Sequence, residues 1–164
     1  MTTRLRLLRS LHQRMMADLV RAHPYARERV GWVVGRTATG PADNTLVVAY
    51  DYLDVPDDEY IDDPRVGARF NRNVIRRAMQ HCVDTGDSVF CVHFHDHSGR
   101  PVFSRTDHRG LWPLVPPLRT LAPQAAHGLL LLSLDEAVAI AWPPPSKEPM
   151  ACSVRVVGRP MGLF

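Results

Sequence analysis

CVHFHDHSGRPVFSRTD, Cys91 to Asp107, places three histidines at alternate positions, then a short loop, then Ser104 and Asp107. Just upstream, Val89 and Phe90 extend an apolar, alternating run. The pattern is that of a strand from Val89 to His95. Successive strand side chains point to opposite faces, so Val89, Cys91, His93 and His95 share one face and Phe90, Val92 and Phe94 the other. For His97 to join its neighbours the strand would have to continue towards Ser98 and Gly99, which are turn residues. The alternation therefore favours His93 and His95 as a side-by-side imidazole pair, with His97 as the alternative to His93.

Two imidazoles on one strand face suit a metal ion, and Asp107 is the candidate third ligand. Two histidines and one carboxylate leave a position open for water, the pattern of a catalytic zinc rather than a closed structural one. A hydrolase of this kind needs one more carboxylate, not itself a ligand, to take a proton from the water. A two-metal H-x-H-x-D-H pattern fits less well: Asp96 follows His95 directly, and the chain is short for that fold.

The rest of the chain reads outward from this strand. Upstream, Leu5 and Leu7 alternate with arginines as a short strand. Ser10 and Gln13 have capping-box spacing at the head of a helix whose stripe is Leu11, Met15, Met16, Leu19 and Val20. RVGWVVGRTA and NTLVVAYDYL read as paired strands, the first over Val30 to Arg36, joined by a turn. An acidic loop, Asp54 to Asp63, reads as a solvated connection, and with less weight as a contact for a basic partner face. Phe70, Val74, Ile75, Met79, Cys82 and Val83 recur at helical spacing up to a stop at Gly86. Downstream, Pro113, Pro116 and Pro117 confine or delay a helix after Asp107. GLLLLSLDEAVAIAW reads as two strands around a turn near Leu134–Asp135, and CSVRVVG as a last strand. The expected fold is α/β (α+β): one domain, 1–164, with a central mixed β-sheet flanked by helices.

Composition narrows the function classes. The 164 residues are 45% hydrophobic with a net charge of +3, enough for a globular core. Lys147 is the single lysine. The arginine bias, with abundant Ala, Pro and Asp, suits a GC-rich bacterial source better than a nucleic-acid binder, which would present a basic stripe or reading helix. No apolar run is long enough for a membrane span, and arginines break up the N-terminus where a secretory signal would need an apolar core. Three cysteines without paired spacing fit a reduced, cytoplasmic setting. Of the remaining candidates, Cys91, Trp32 and Trp112 read as packing, Glu59 as a rival base with no strand to position it, and Asp96 as a loop residue that could orient a histidine.

The H-x-H and S-x-x-D residues resemble the JAMM motif of the MPN/JAB (MPN+) zinc isopeptidases, H-x-H-x7-S-x-x-D with an upstream Glu. ERVGWVVG, Glu28 to Gly35, resembles the family's E-x-x-G-x-x-x-G strand. The order of elements from Leu5 to Trp142 is similar as well. One departure is present: eight residues, 96 to 103, separate His95 from Ser104, and counting from His97 leaves six, 98 to 103. A one-residue loop insertion is easily absorbed.

The resemblance implies an MPN/JAB sandwich of cytidine-deaminase-like form. It implies one Zn2+ on His93, His95 and Asp107 with water as fourth ligand. Glu28 would be the acid/base and Ser104 an oxyanion donor, worth roughly 3 kcal/mol. It further implies a deubiquitinase-like peptidase, similar to the bacterial Prok-JAB group, acting after the tail of ubiquitin or a ubiquitin-like protein. An extended tail of that kind can pair beside a sheet edge. Activating-like and conjugating-like enzymes of the same operon, in some systems antiphage, would be its partners; no nucleic acid or membrane is expected. The alternatives are a non-catalytic MPN scaffold and a metallopeptidase for small-molecule amide or cysteine conjugates. Inactive scaffolds usually lose motif residues, and Glu28, Ser104 and Asp107 are all present.

Overall fold

The structure, a computed structural model, describes residues 2–158. Seven strands and four α-helices follow in the order β1 (Thr3–Leu8), α1 (Arg9–Leu19), β2 (Val30–Gly40), β3 (Asn44–Asp54), α2 (Arg72–Thr85), β4 (Ser88–Phe94), α3 (Arg105–Leu111), α4 (Val115–Leu121), β5 (His127–Leu132), β6 (Ala137–Trp142) and β7 (Met150–Val157). This is the expected α+β composition with a mixed sheet: β2 pairs antiparallel with β3 and β4, and β4 parallel with β5.

The sheet is closed rather than open. Its order is β1-β3-β2-β4-β5-β6-β7, and β7 returns to pair in parallel with β1 from Thr3↔Cys152 to Leu8↔Val157. β7 also meets β6 at Ala139↔Cys152 to Ala141↔Met150. One C-terminal strand thereby covers both edges that an open sandwich would expose.

Period-2 alternation divides the side chains between two cores. All seven strands contribute to the first, which includes Leu5, Leu7, Val33, Val47, Phe90, Val92, Leu130, Ala139 and Cys152. Leu11, Met15 and Leu19 of α1 pack into it. Each such fully buried side chain contributes about 1.5–3 kcal/mol. The second core lies on the other face, where Trp32, Val34, Val89, Cys91 and Leu129 meet Val74, Ala78 and Cys82 of α2 and Val115 and Leu118 of α4. All seven residues of β4 are therefore buried.

Local details depart from the sequence reading in instructive ways. α1 begins at Arg9 directly from β1, with Leu8 at the cap position and no side-chain cap, so Ser10 lies inside the helix and the Ser10–Gln13 box does not form. Val20 and Val83 are exposed, and Phe70 precedes α2, whose first turn is capped by Asn71. Helix α3 starts upstream of the prolines, at Arg105; Pro116 and Pro117 fall in the first turn of α4, where their missing N–H groups cost no helical bond.

The acidic loop is not merely solvated. Asp57 Oδ1 accepts from the guanidinium of Arg29 at 2.7 Å, and Arg29 is only 1% exposed. Glu59 pairs with Arg77, and Asp63 with both Arg65 and Arg69. The loop is folded back by a Tyr60↔Phe70 bridge and by Ile61 N–H donating to Arg69 O at 2.8 Å. The arginines Arg69 and Arg77 are thus committed to carboxylates rather than forming a free basic face.

Candidate metal centre

His93 occupies the middle of β4, opposite Val30 of β2 and beside Leu131 of β5. It lies on the face that also carries Val89 and Cys91, as the alternation requires. Its side chain is 1% exposed, and among the described residues both ring nitrogens are buried without a hydrogen-bond partner. Nε2 has only the Asp107 carboxylate nearby, at 3.4 Å, and an imidazole cut off from water and so poorly satisfied is costly unless something occupies it. His95 follows the last residue of β4, its N–H bonded to Leu132 O at 2.9 Å, so the ladder with β5 extends one step and holds the ring beside His93. The two ring centroids are 5.1 Å apart.

His97 is placed differently. It is exposed, its Nδ1 lies 2.9 Å from Ser98 O, and its ring is 6.0 Å from that of His95. The chain between His95 and Ser104 turns at Gly99, anchored by Gly99 N–H to Asp135 and by Ser133 Oγ to Gly99 O. The extra residue is taken up in that loop and not in the strand.

Asp107 reaches the histidines because S-x-x-D is first of all a helix start. Ser104 is the N-cap of α3; Asp107 N–H donates to Ser104 Oγ at 3.1 Å, and Ser104 N–H donates to Asp107 Oδ2 at 2.6 Å. This reciprocal box fixes the carboxylate. Oδ2 is held by the backbone while Oδ1 faces His93 Nε2 at 3.4 Å; His95 Nε2 is 3.9 Å from Oδ2. Burial works to raise the Asp107 carboxyl, but the facing His93 ring and the Ser104 N–H more than offset it and hold it well below the usual carboxylate range. Ser104 is exposed, and its oxygen accepts from Asp107 while the hydroxyl proton stays available.

Glu28 completes the group from a separate segment. It stands two residues ahead of β2 rather than in the strand, with its N–H donating to Gly67 O at 3.2 Å. Its Oε1 is 3.6 Å from His95 Nε2. The glycines of the same motif have packing reasons: a Cβ at Gly31 would collide with the Tyr52 ring, and one at Gly35 with the backbone of Val48 and Ala49.

Glu28, His93, His95 and Asp107 each offer a ligand atom, and these atoms lie within 4.8 Å of one another. A buried cluster of this composition could hold a metal ion. Burial, with His93 adding, lowers His95 below the ordinary histidine value, which favours the neutral imidazole that ligates metals. The orphaned nitrogens of His93, the ionised Asp107 and the N/O donor set fit Zn2+ in kind. An open cleft of about 740 Å³ leads away from Glu28 and His95 between Ala22, His23 and Arg27 on one side and Phe94 and Leu134 on the other. That is within the usual size of ligand pockets, roughly 300–1,000 Å³.

The other candidates stand outside the centre. Burial pushes the Cys91 thiol up to about 12, with Asp107 adding, which makes it a packed thiol. The hydrogen bond from Arg77 holds Glu59 below the usual carboxylate range and engages it elsewhere. Asp96 is exposed at the cleft, and the carboxylates beside His95 are Glu28 and Asp107. Trp32 is buried, whereas Trp112 is half-buried and stacks on His108 at 4.4 Å.

Two supporting residues escape a reading of the sequence. Gly67 carries no motif and acts on Glu28 across the fold. His127 is fully buried in β5; its Nδ1 accepts from Val89 N–H at 3.2 Å and its Nε2 contacts Ala122 O at 3.1 Å, so it anchors the head of β4.

No family model and no curated protein matches the chain. Among solved structures it is similar to a protein of Desulfitobacterium hafniense determined in solution, at 14% identity and a TM-score of 0.47, over 93% of this chain and 94% of that one. It is also similar to the N-terminal domain of Trichoplax adhaerens STIL, at 10% identity and a TM-score of 0.40, over 82% of this chain and 40% of that one. Likenesses at this level carry no functional argument. Among the described residues no helix is long and apolar enough to cross a membrane.

Proposed function

We propose that the protein is a zinc-dependent peptidase of the JAMM type, hydrolysing the amide bond after the C-terminal tail of ubiquitin or a bacterial ubiquitin-like protein. In this reading the sheet with helices on both faces is an MPN/JAB domain of cytidine-deaminase-like form. The observation that carries the proposal is the meeting of Glu28, His93, His95 and Asp107 within 4.8 Å, with neither ring nitrogen of His93 hydrogen-bonded among the described residues. His93, His95 and Asp107 would hold the ion. When bound, zinc supplies Lewis-acid chemistry: it polarises a carbonyl and lowers the pKa of a water to about 7.

The remaining steps belong to side chains of this chain. Glu28, 31% exposed and adjacent to His95, accepts the proton of the attacking water and returns it to the leaving amine as the C–N bond breaks. Ser104 keeps its hydroxyl proton free because its oxygen is the cap acceptor, and it donates to the oxyanion. The substrate tail lies in the cleft between Arg27 and Leu134. It does not pair with β4, which has β2 on one side and β5 on the other. Activating-like and conjugating-like enzymes of a bacterial ubiquitin-like conjugation system, of the kind used against phage, are the partners the resemblance implies.

The test is direct. The purified protein should bind about one zinc per chain and cleave a ubiquitin-like reporter fusion in a chelator-sensitive way. Glu28→Ala should retain zinc and lose cleavage by roughly 10²–10⁴-fold. Normal cleavage by Glu28→Ala would refute the mechanism.

A further inference from the structure

Each glycine can be asked what a side chain there would strike. At Gly31, Gly35 and Gly128 the obstacle is a ring or the backbone, and Gly86, Gly99 and Gly158 have left-handed φ. Gly67 differs from all of these. Its φ lies outside the left-handed range, so its backbone accepts any residue. The three nearest atoms to a Cβ at this position all belong to Glu28: Oε2 at 2.6 Å, Cδ at 2.7 Å and Oε1 at 3.1 Å. Gly67 also offers its carbonyl to Arg27 N–H at 2.8 Å and to Glu28 N–H at 3.2 Å.

The loop that presents Gly67 is held at several points. Asp63 accepts from Arg65 and Arg69 at 2.8 Å each, Asn71 N–H donates to Glu59 O at 2.9 Å, and the Arg27 guanidinium bonds Pro64 O. Gly67, Val66 and Ala68 line a small pocket with Glu28, His93 and Asp107.

We infer that Gly67 is a positioning residue for Glu28: its carbonyl fixes the backbone of the acid/base and its missing side chain leaves the seat in which the carboxylate faces His95. The role in turnover rests on the proposed hydrolase reading; the seating itself does not. A methyl group at 67 would displace the carboxylate, because a flexible side chain yields before a tied loop does. Backbone-compatible Gly→Ala exchanges keep or raise stability by restricting the unfolded chain, so the fold should persist.

Gly67→Ala should leave zinc content, Tm and KM unchanged and lower kcat by about 10- to 100-fold, the scale of an ångström-sized misplacement. In a Glu28→Asp background, where the shorter acid makes room, adding Gly67→Ala should cost no more than about 2-fold. A purely structural role would instead reduce both backgrounds equally. A readout independent of activity uses the metal-free protein. The ring-proton NMR signals of His95, 3.6 Å from Glu28, should shift in Gly67→Ala, while those of His127 stay in place. An unshifted His95, or an undiminished kcat, overturns the inference. If the wild type cleaves no reporter but His95 shifts as expected, the seating stands and the hydrolase reading falls.

Discussion

The two halves of the candidate centre are built differently. His93, His95 and Asp107 sit on or beside regular elements: a strand buried on both faces and a helix start locked by a reciprocal cap. Glu28 sits on irregular chain ahead of β2 and is kept in place by a carbonyl and an empty space on another loop. On the proposed reading, the difference makes metal binding and proton transfer mechanically separable. The first is a property of rigid, local secondary structure; the second depends on two loops meeting. Mutations on the strand should remove both capacities, and mutations on the loops should remove only the second.

The largest effect expected is on the strand side. His93→Ala should lose zinc and all cleavage, whereas His97→Ala should keep both, as read by metal analysis of the purified variants. Zinc loss in His97→Ala with retention in His93→Ala would dissolve the rigid half as drawn.

Ser104 should give the next largest effect. Ser104→Ala would remove the proposed oxyanion donor, expected to lower kcat by about 10²–10³-fold, and also a helix cap, expected to lower stability by about 1 kcal/mol. Ser104→Thr keeps a capping hydroxyl and should recover most of both. Denaturant melts and steady-state kinetics on the pair separate the two roles.

The last effect concerns stability alone and touches neither metal binding nor turnover. Burial pulls His127 down to about 4, so it stays neutral at the head of β4. The unfolded chain takes up this proton near the ordinary value of 6.5 and the folded one does not, so the unfolded state binds more protons between those limits. Stability therefore falls as pH drops from 6.5 towards 4, by up to about 3 kcal/mol from this group. His127→Gln should flatten that part of the pH–stability curve. An unchanged slope would mean that His127 does not set the acid sensitivity of the rigid half.

Legibility in the amino-acid sequence follows the same division. The β4 alternation, the hairpin of β2 and β3, the end of α2 at Gly86 and the last three strands were all readable, because each is a short-range pattern. S-x-x-D was readable as a motif, though its physical role as a capping box, with Oδ2 spoken for and Oδ1 turned to His93, emerged only with the helix that starts at Arg105. The acidic loop is solvated at Asp54, Asp57, Asp58 and Asp62, but its ion pairs are illegible in the sequence because Arg29 and Arg77 come from distant parts of the chain. The Ser10–Gln13 spacing does not act as a cap because β1 runs into α1 without a break and leaves Leu8 at the cap position.

The sequence by itself determined which residues share a face. Side-chain direction in a strand repeats every two residues and a cap spans three, so His93 with His95, and Ser104 with Asp107, follow from nearest-neighbour geometry. The tertiary structure alone decided that β7 closes the sheet, that Glu28 reaches His95, and that Gly67 must be small to let it. Those are contacts between segments far apart in the chain, whose pairing depends on the packing of the whole domain and leaves no periodic trace in any one of them.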